Sequence, residues 1–167
     1  MIELFKPLKT RRLSLRELKV EDYAFIKELV NSKGWLQFIG DRKVHDEEGA
    51  RLYIQNILND SNCLYWIACN VEQGTPLGAV TLIQRDNLSH PDIGFAFLPR
   101  FSGQGYALEA ATAVVEHLKC SNLDCILAIT QSNNLSSIRL IEKLGMLLHA
   151  SVGNQNEYRL ELNPKLI

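Results

Sequence analysis

Residues Ile93 to Leu118 read IGFAFLPRFSGQGYALEAATAVVEHL: an apolar strand stopped by Pro99, a turn punctuated by Gly103 and Gly105, and a run with the apolar period of a helix. A strand that delivers a glycine turn to a helix start is the layout of an anion site. The first N–H groups of a helix have no partners within it, and the helix dipole adds positive potential there. Gly103 and Gly105 keep Cβ atoms away from phosphate oxygens and permit positive φ. Arg100, just before the turn, offers a bidentate charge-assisted contact.

Two common phosphate loops do not fit. A P-loop needs a lysine and a hydroxyl residue after its last glycine, where this chain has Tyr106 and Ala107. A dinucleotide fingerprint needs a third glycine three residues beyond Gly105, where Leu108 stands. The spacing Arg100-x-x-Gly103-x-Gly105, followed by Ala107, resembles the acetyl-coenzyme A pyrophosphate loop of the GNAT superfamily of N-acetyltransferases. Downstream, ILAITQSNNLSSIRLIEKLGM (Ile126 to Met146) carries Asn134-x-x-Ser137-x-Arg139-x-x-Glu142-Lys143-Leu144-Gly145. That pattern is similar to the branch containing the ribosomal-protein alanine N-acetyltransferases. The stretch TRRLSLRELKVEDYAFIKEL, Thr10 to Leu29, looks like the opening strand and helix of the same branch.

The resemblance implies one α/β domain over residues 1–167, with a mixed, mostly antiparallel sheet, helices on both faces and a splayed central strand pair. It implies acyl transfer from acetyl-coenzyme A to a primary amine, with an N-terminal peptide amine as the leading acceptor. A small amine (a polyamine, amino sugar or antibiotic) is the alternative, as is an acyl-coenzyme A sensor without turnover. The coenzyme is expected on Phe97, Leu98, Arg100, Phe101, Gly103, Gln104, Gly105, Tyr106, Ala107, Asn134 and Ser137. An oxyanion contact is expected from backbone near Ala96 to Leu98.

Thioester aminolysis requires a neutral amine, oxyanion stabilisation and a proton for the leaving thiolate. Ser137 is the candidate proton donor, because similar enzymes use a serine at the start of this helix near the coenzyme sulfur. Its alternative is a local backbone hydrogen bond in the first helical turn, with Asn134 as N-cap. Asp92 is a candidate base for the ammonium, or a turn residue in His90-Pro91-Asp92. Tyr158 either faces the acceptor cleft or is an ordinary strand residue. In the first third, Trp35, Phe38 and Tyr53 read as pocket aromatics or as core. Asp41, Asp46, Glu47 and Glu48 read as attractors for a cationic amine or as complements to a helix dipole.

Composition agrees with one compact domain: 46% of the 167 residues are hydrophobic, enough for a sizeable core. A net charge of −1 with interspersed signs removes the usual electrostatic case for a nucleic-acid or membrane partner. Without a continuous apolar h-region near the start or a run of membrane-spanning length, a cytoplasmic location is expected. A monomer and a homodimer both remain open. Cys63, Cys69, Cys120 and Cys125 form neither a C-x-x-C pair nor a zinc-like cluster with the histidines, so reduced structural thiols and no metal are expected.

Patterning places strands at Leu13 to Arg16, Leu64 to Cys69, Leu77 to Gln84, Ile93 to Leu98 and Cys125 to Thr130. Helices are placed from Glu21 to about Asn31, from near Asp46 to about Leu58, from Gly105 to Leu118 and from Leu135 to Leu144. Gln73-Gly74-Thr75-Pro76 turns a hairpin between the second and third strands, and two further strands close the chain.

Overall fold

The computed structural model describes residues 4–163. Eight strands form a single sheet: β1 (Leu8–Lys9), β2 (Leu13–Glu17), β3 (Cys63–Asn70), β4 (Pro76–Ile83), β5 (Asp92–Phe97), β6 (Cys125–Gln131), β7 (Leu147–Val152) and β8 (Gln155–Glu161). Their spatial order is β1-β2-β3-β4-β5-β6-β8-β7. Every neighbouring pair is antiparallel except β5 and β6, which run parallel. Five helices are described: α1 (Tyr23–Val30), α2 (Lys33–Phe38), α3 (Glu47–Asn59), α4 (Tyr106–Lys119) and α5 (Leu135–Lys143).

Strand alternation divides the core into two layers. On one face Leu64, Trp66, Val80, Leu82, Ile93, Ile126 and Ala128 meet Ala110, Val114 and Leu118 of α4 and Ile141 of α5. On the other, Ile67, Cys69, Ala79 and Leu98 meet Phe25, Ile26 and Leu29 of α1, Trp35 of α2 and Ala50 and Ile54 of α3. Each large apolar side chain buried in this way contributes about 1.5–3 kcal/mol. The expected mixed sheet with helices on both faces is therefore the fold observed.

The parallel junction positions the site. β5 and β6 pair in register only at Asp92 and Leu127, where the Leu127 amide donates to the Pro91 carbonyl (3.0 Å). Beyond that point the strands separate. Their outer edges stay paired, β5 with β4 through Phe97 and β6 with β8 through Gln131. The gap thus opens towards the strands' C-terminal ends and is lined by inner-edge backbone.

Two elements depart from the sequence reading. The 33–38 stretch forms α2, and Leu8–Lys9 forms the short edge strand β1. In the first, Gly34 and the absence of a side-chain cap leave a six-residue helix with little intrinsic signal. A two-residue strand has no readable alternation.

Candidate active site

At the open end of the gap, β5 runs through Leu98 into a single 3-10 turn, Pro99–Phe101, and then the glycine loop. Gly103 and Gly105 have φ of +73° and +80°, a region that L side chains rarely occupy. Gly105 leads directly into α4, and no side chain caps that fourteen-residue helix. Its first-turn amides are therefore left for an external acceptor, as an anion site requires.

The loop is braced from two sides. Arg12, next to the start of β2, donates through Nη1 to the Gln104 carbonyl (2.9 Å) and lies over the Tyr106 ring at 4.2 Å. The Gln104 side-chain Nε2 donates to the Arg100 carbonyl (3.1 Å), closing the turn on itself. Phe101 packs edge-on against Tyr106, with centroids 6.4 Å apart. Ala107 occupies the first turn of α4. Arg100 is engaged by α1: its Nη1 and Nη2 both donate to the Glu28 carboxylate.

Hydrogen bonding refines the backbone donor for an oxyanion. The Leu98 amide already donates to the Leu77 carbonyl (2.9 Å). Antiparallel alternation turns the preceding amide, Phe97, to the opposite edge, towards the gap. The available N–H is thus that of Phe97, while Leu98 contributes a buried side chain.

After β6 the chain turns into α5. Asn134 is the N-cap: its Oδ1 accepts from the Ser137 amide (3.2 Å) and from the Ser136 hydroxyl (3.1 Å). Of the two roles the sequence leaves open for Asn134, capping and coenzyme binding, the cap geometry is present. Among the described residues the Ser137 hydroxyl has no hydrogen-bond partner, so only its backbone is used by the cap.

Two assignments need correction. Asp92 is buried and its carboxylate is gripped by Arg85, Nε to Oδ1 at 2.6 Å and Nη2 to Oδ2 at 3.3 Å. It lies at the closed end of the strand pair, away from the open gap, and each of its oxygens accepts from Arg85. Tyr158 does not face a cleft: it is buried in the layer beneath α4 and α5, opposite Ala128 in the ladder.

A cleft of about 660 Å³ lies on the other face, lined by Ala24, Lys27, Glu28, Asn31 and Ser32 of α1 and its end, by Val44, His45 and Glu47, and by Leu98 and Pro99 beside the glycine loop. Of the acids considered in the first third, Glu47 lines this cleft. Asp46 instead caps α3 through the Gly49 amide (2.7 Å), and Asp41 pairs with Lys43. Trp35 is core, its indole N–H buried without a partner among the described residues. Phe38 and Tyr53 are partly exposed and outside the cleft lining. Glu28, His45 and Arg12 had not been singled out. Their positions depend on long-range contacts, and no local motif announces them.

Three of the four cysteines sit where the thiolate is disfavoured. Burial and the Asp60 hydrogen bond push the Cys63 thiol up to about 12, and burial also raises Cys69 and Cys125. No group of three or more His, Cys, Asp or Glu placed to hold a metal occurs among the described residues. No described helix is long and apolar enough to cross a membrane.

Comparison with known proteins agrees with this geometry. The sequence model of the acetyltransferase (GNAT) domain matches residues 12–147. The uncharacterized N-acetyltransferase YnaD of Bacillus subtilis (strain 168) is 28% identical over 149 residues, covering 82% of this chain and 80% of YnaD. RimL, a ribosomal L7/L12 alpha-N-protein acetyltransferase solved with coenzyme A, superposes with a TM-score of 0.81 at 16% identity, covering 93% of this chain and 98% of that one. Spermidine N-acetyltransferase from Vibrio cholerae, solved with coenzyme A and spermine, gives 0.74 at 18% identity, covering 90% and 94%. At these identities the structural likeness is one of fold.

Proposed function

Because the chain belongs to the GNAT acetyltransferase family, we propose that it transfers the acetyl group of acetyl-coenzyme A to a primary amine, with an N-terminal peptide amine as the preferred acceptor. The observation carrying this reading is the junction of three features at one place: the splayed strands, the uncapped helix behind Gly105, and the cleft that reaches Leu98 and Pro99. The pyrophosphate lies against the loop amides of 103–107, with Arg100 turning from Glu28 to meet it. Gly103 and Gly105 leave room for that approach. The pantetheine arm follows the gap, where its amides replace the missing strand partners.

In the reaction the neutral amine attacks the thioester carbonyl, and the Phe97 amide stabilises the oxyanion. Ser137, with its hydroxyl unengaged, donates a proton to the departing thiolate and regains one from the nitrogen of the tetrahedral adduct as the amide forms. With Asp92 held by Arg85, the ammonium proton leaves through water on the cleft side. The single compact domain carries every one of these groups.

Peptide preference rests on the character of the cleft. Glu28 and Glu47 suit one ammonium, while Lys27 disfavours a long polycation. The Asn31 and Ser32 donors are spent on the Lys27, Val44 and Leu29 carbonyls, which leaves their side-chain oxygens to accept from peptide N–H groups, and Ala24 and Val44 supply apolar walls. The test is thiol release from acetyl-coenzyme A with a panel of short peptides, polyamines and amino sugars. Release with peptides bearing a free N-terminus, abolished by blocking it, supports the reading. Turnover confined to polyamines overturns the acceptor class, and coenzyme binding without turnover of any amine favours a sensor.

A further inference from the structure

Arg12 stands 97 residues from Glu109 in the chain, yet the two are joined by both a guanidinium and a backbone hydrogen bond. Glu109 Oε2 accepts from Arg12 Nε (2.6 Å), and Oε1 accepts from both the Arg12 amide (2.9 Å) and the Thr10 hydroxyl (2.6 Å). The Thr10 oxygen in turn accepts from the Leu13 amide (3.0 Å). The segment leading into β2 is thereby fastened to the first turn of α4. Arg12 then reaches past this anchor: Nη1 holds the Gln104 carbonyl, and Nη2 lies 3.4 Å from where a Cβ on Gly105 would stand. Among the described residues Nη2 has no hydrogen-bond partner.

Charge gives this arrangement a purpose beyond bracing. A carboxylate in the first turn of a helix stabilises that helix, but it also opposes any external anion bound to the same amides. Arg12 cancels Glu109 at that position and leaves a positive edge facing the loop. The other nearby arginine, Arg100, is paired with Glu28 in this structure and reaches the loop only by leaving that pair.

Resting on the coenzyme reading above, we propose that Arg12 is a positioning residue for the pyrophosphate of the acyl donor. It holds the 103–105 loop through Gln104 and neutralises Glu109, so that the start of α4 accepts a doubly charged ligand. The proposal predicts unequal effects of breaking one ion pair from its two sides. R12A leaves the Glu109 charge facing the anion. E109Q removes that charge and leaves the arginine.

Coenzyme A and S-acetylpantetheine, which lacks the pyrophosphate, are the calorimetric probes for the full chain and for R12A, E109Q and the R12A/E109Q double variant. R12A should weaken coenzyme A about ten-fold or more while changing acetylpantetheine binding less than two-fold. E109Q should lose far less than R12A, and the double variant should bind coenzyme A better than R12A alone. Raising salt should narrow the gap between wild type and R12A. Equal losses in the two single variants, or equal losses for both ligands, would reduce the junction to a structural brace and overturn the proposal. Should R12A fail to fold, R12K provides the second route: a lysine keeps the charge but not the fork, and it should retain more coenzyme A affinity than R12Q. Wild-type protein that binds neither ligand would instead overturn the coenzyme reading beneath it.

Discussion

Arg100, on the turn after β5, and Glu28, on α1, close a two-point ion pair across the rim of the cleft; its outer contact, Nη2 to Oε2, measures 3.2 Å. Both side chains are about half exposed, at 53% and 49%, so the pair is readily exchanged. The arginine that sequence spacing assigns to the phosphate is thus held by an acid that lines the cleft. E28Q should free Arg100 and tighten coenzyme A about two- to five-fold at low salt, with the gain vanishing as salt rises. The same variant should raise KM for a cationic amine. Calorimetry and steady-state kinetics measure the two effects, and a weaker coenzyme affinity in E28Q would exclude the exchange.

Gly105→Val addresses the loop directly. A Cβ at φ +80° adds strain of about 1–2 kcal/mol, and a branched side chain there also covers the amides at the start of α4. Coenzyme A affinity should fall at least ten-fold, with a modest drop in Tm. Unchanged affinity in calorimetry would place the phosphate elsewhere.

Gly78 is a different kind of glycine, required by close packing. A Cβ added to it would stand 2.3 Å from Phe97 Cγ and 2.6 Å from the Ala96 carbonyl oxygen, on the strand that borders the gap. Backbone cannot retreat there without parting β4 from β5. Gly78→Ala should destabilise the fold by about 2–3 kcal/mol in urea unfolding. Because the displaced strand carries the Phe97 amide, kcat should fall in the fraction that remains folded.

Ser137 and Asn134 separate catalysis from capping. Asn134→Ala removes the acceptor of the Ser137 amide and should cost about 1 kcal/mol of stability. Ser137→Ala leaves that backbone bond in place, so stability should change little while kcat falls with KM for acetyl-coenzyme A nearly constant. Equal falls in stability for the two variants would assign Ser137 a structural role.

What the sequence made legible was local. The strand, Pro99, the glycine turn and the α4 helix lie within one continuous stretch, and their periodicity and backbone restrictions declare them without tertiary information. Asn134 followed by Ser137 was legible for the same reason. Arg12 with Glu109 and Arg100 with Glu28 were not, because pairs 97 and 72 residues apart meet only once the sheet order brings β2 and α1 beside the loop. Asp92 illustrates the converse. Its position before the central strand suggests a base, but sequence could not show that the carboxylate is buried at the closed end of the strand pair and held by Arg85. Tyr158 failed through parity: strand alternation places it on the α4 and α5 face, away from the cleft.

Glu109 also sets an acid limit on the fold. Desolvation disfavours its ionised form, but the Thr10 hydroxyl, the Arg12 amide and the Arg12 guanidinium outweigh it and hold the carboxyl below its usual range. A carboxyl with a depressed folded-state value contributes its full stability above the unfolded value, about 4.3. The contribution is lost as pH falls through the lower folded value. Wild type should therefore be more stable than E109Q at pH 7, and the two should converge progressively below about pH 4 as Glu109 protonates in both folded and unfolded chains. Thermal melts of both proteins from pH 7 to pH 3 measure the convergence. Parallel curves across that range would mean that the Glu109 charge contributes nothing to holding β2 against α4.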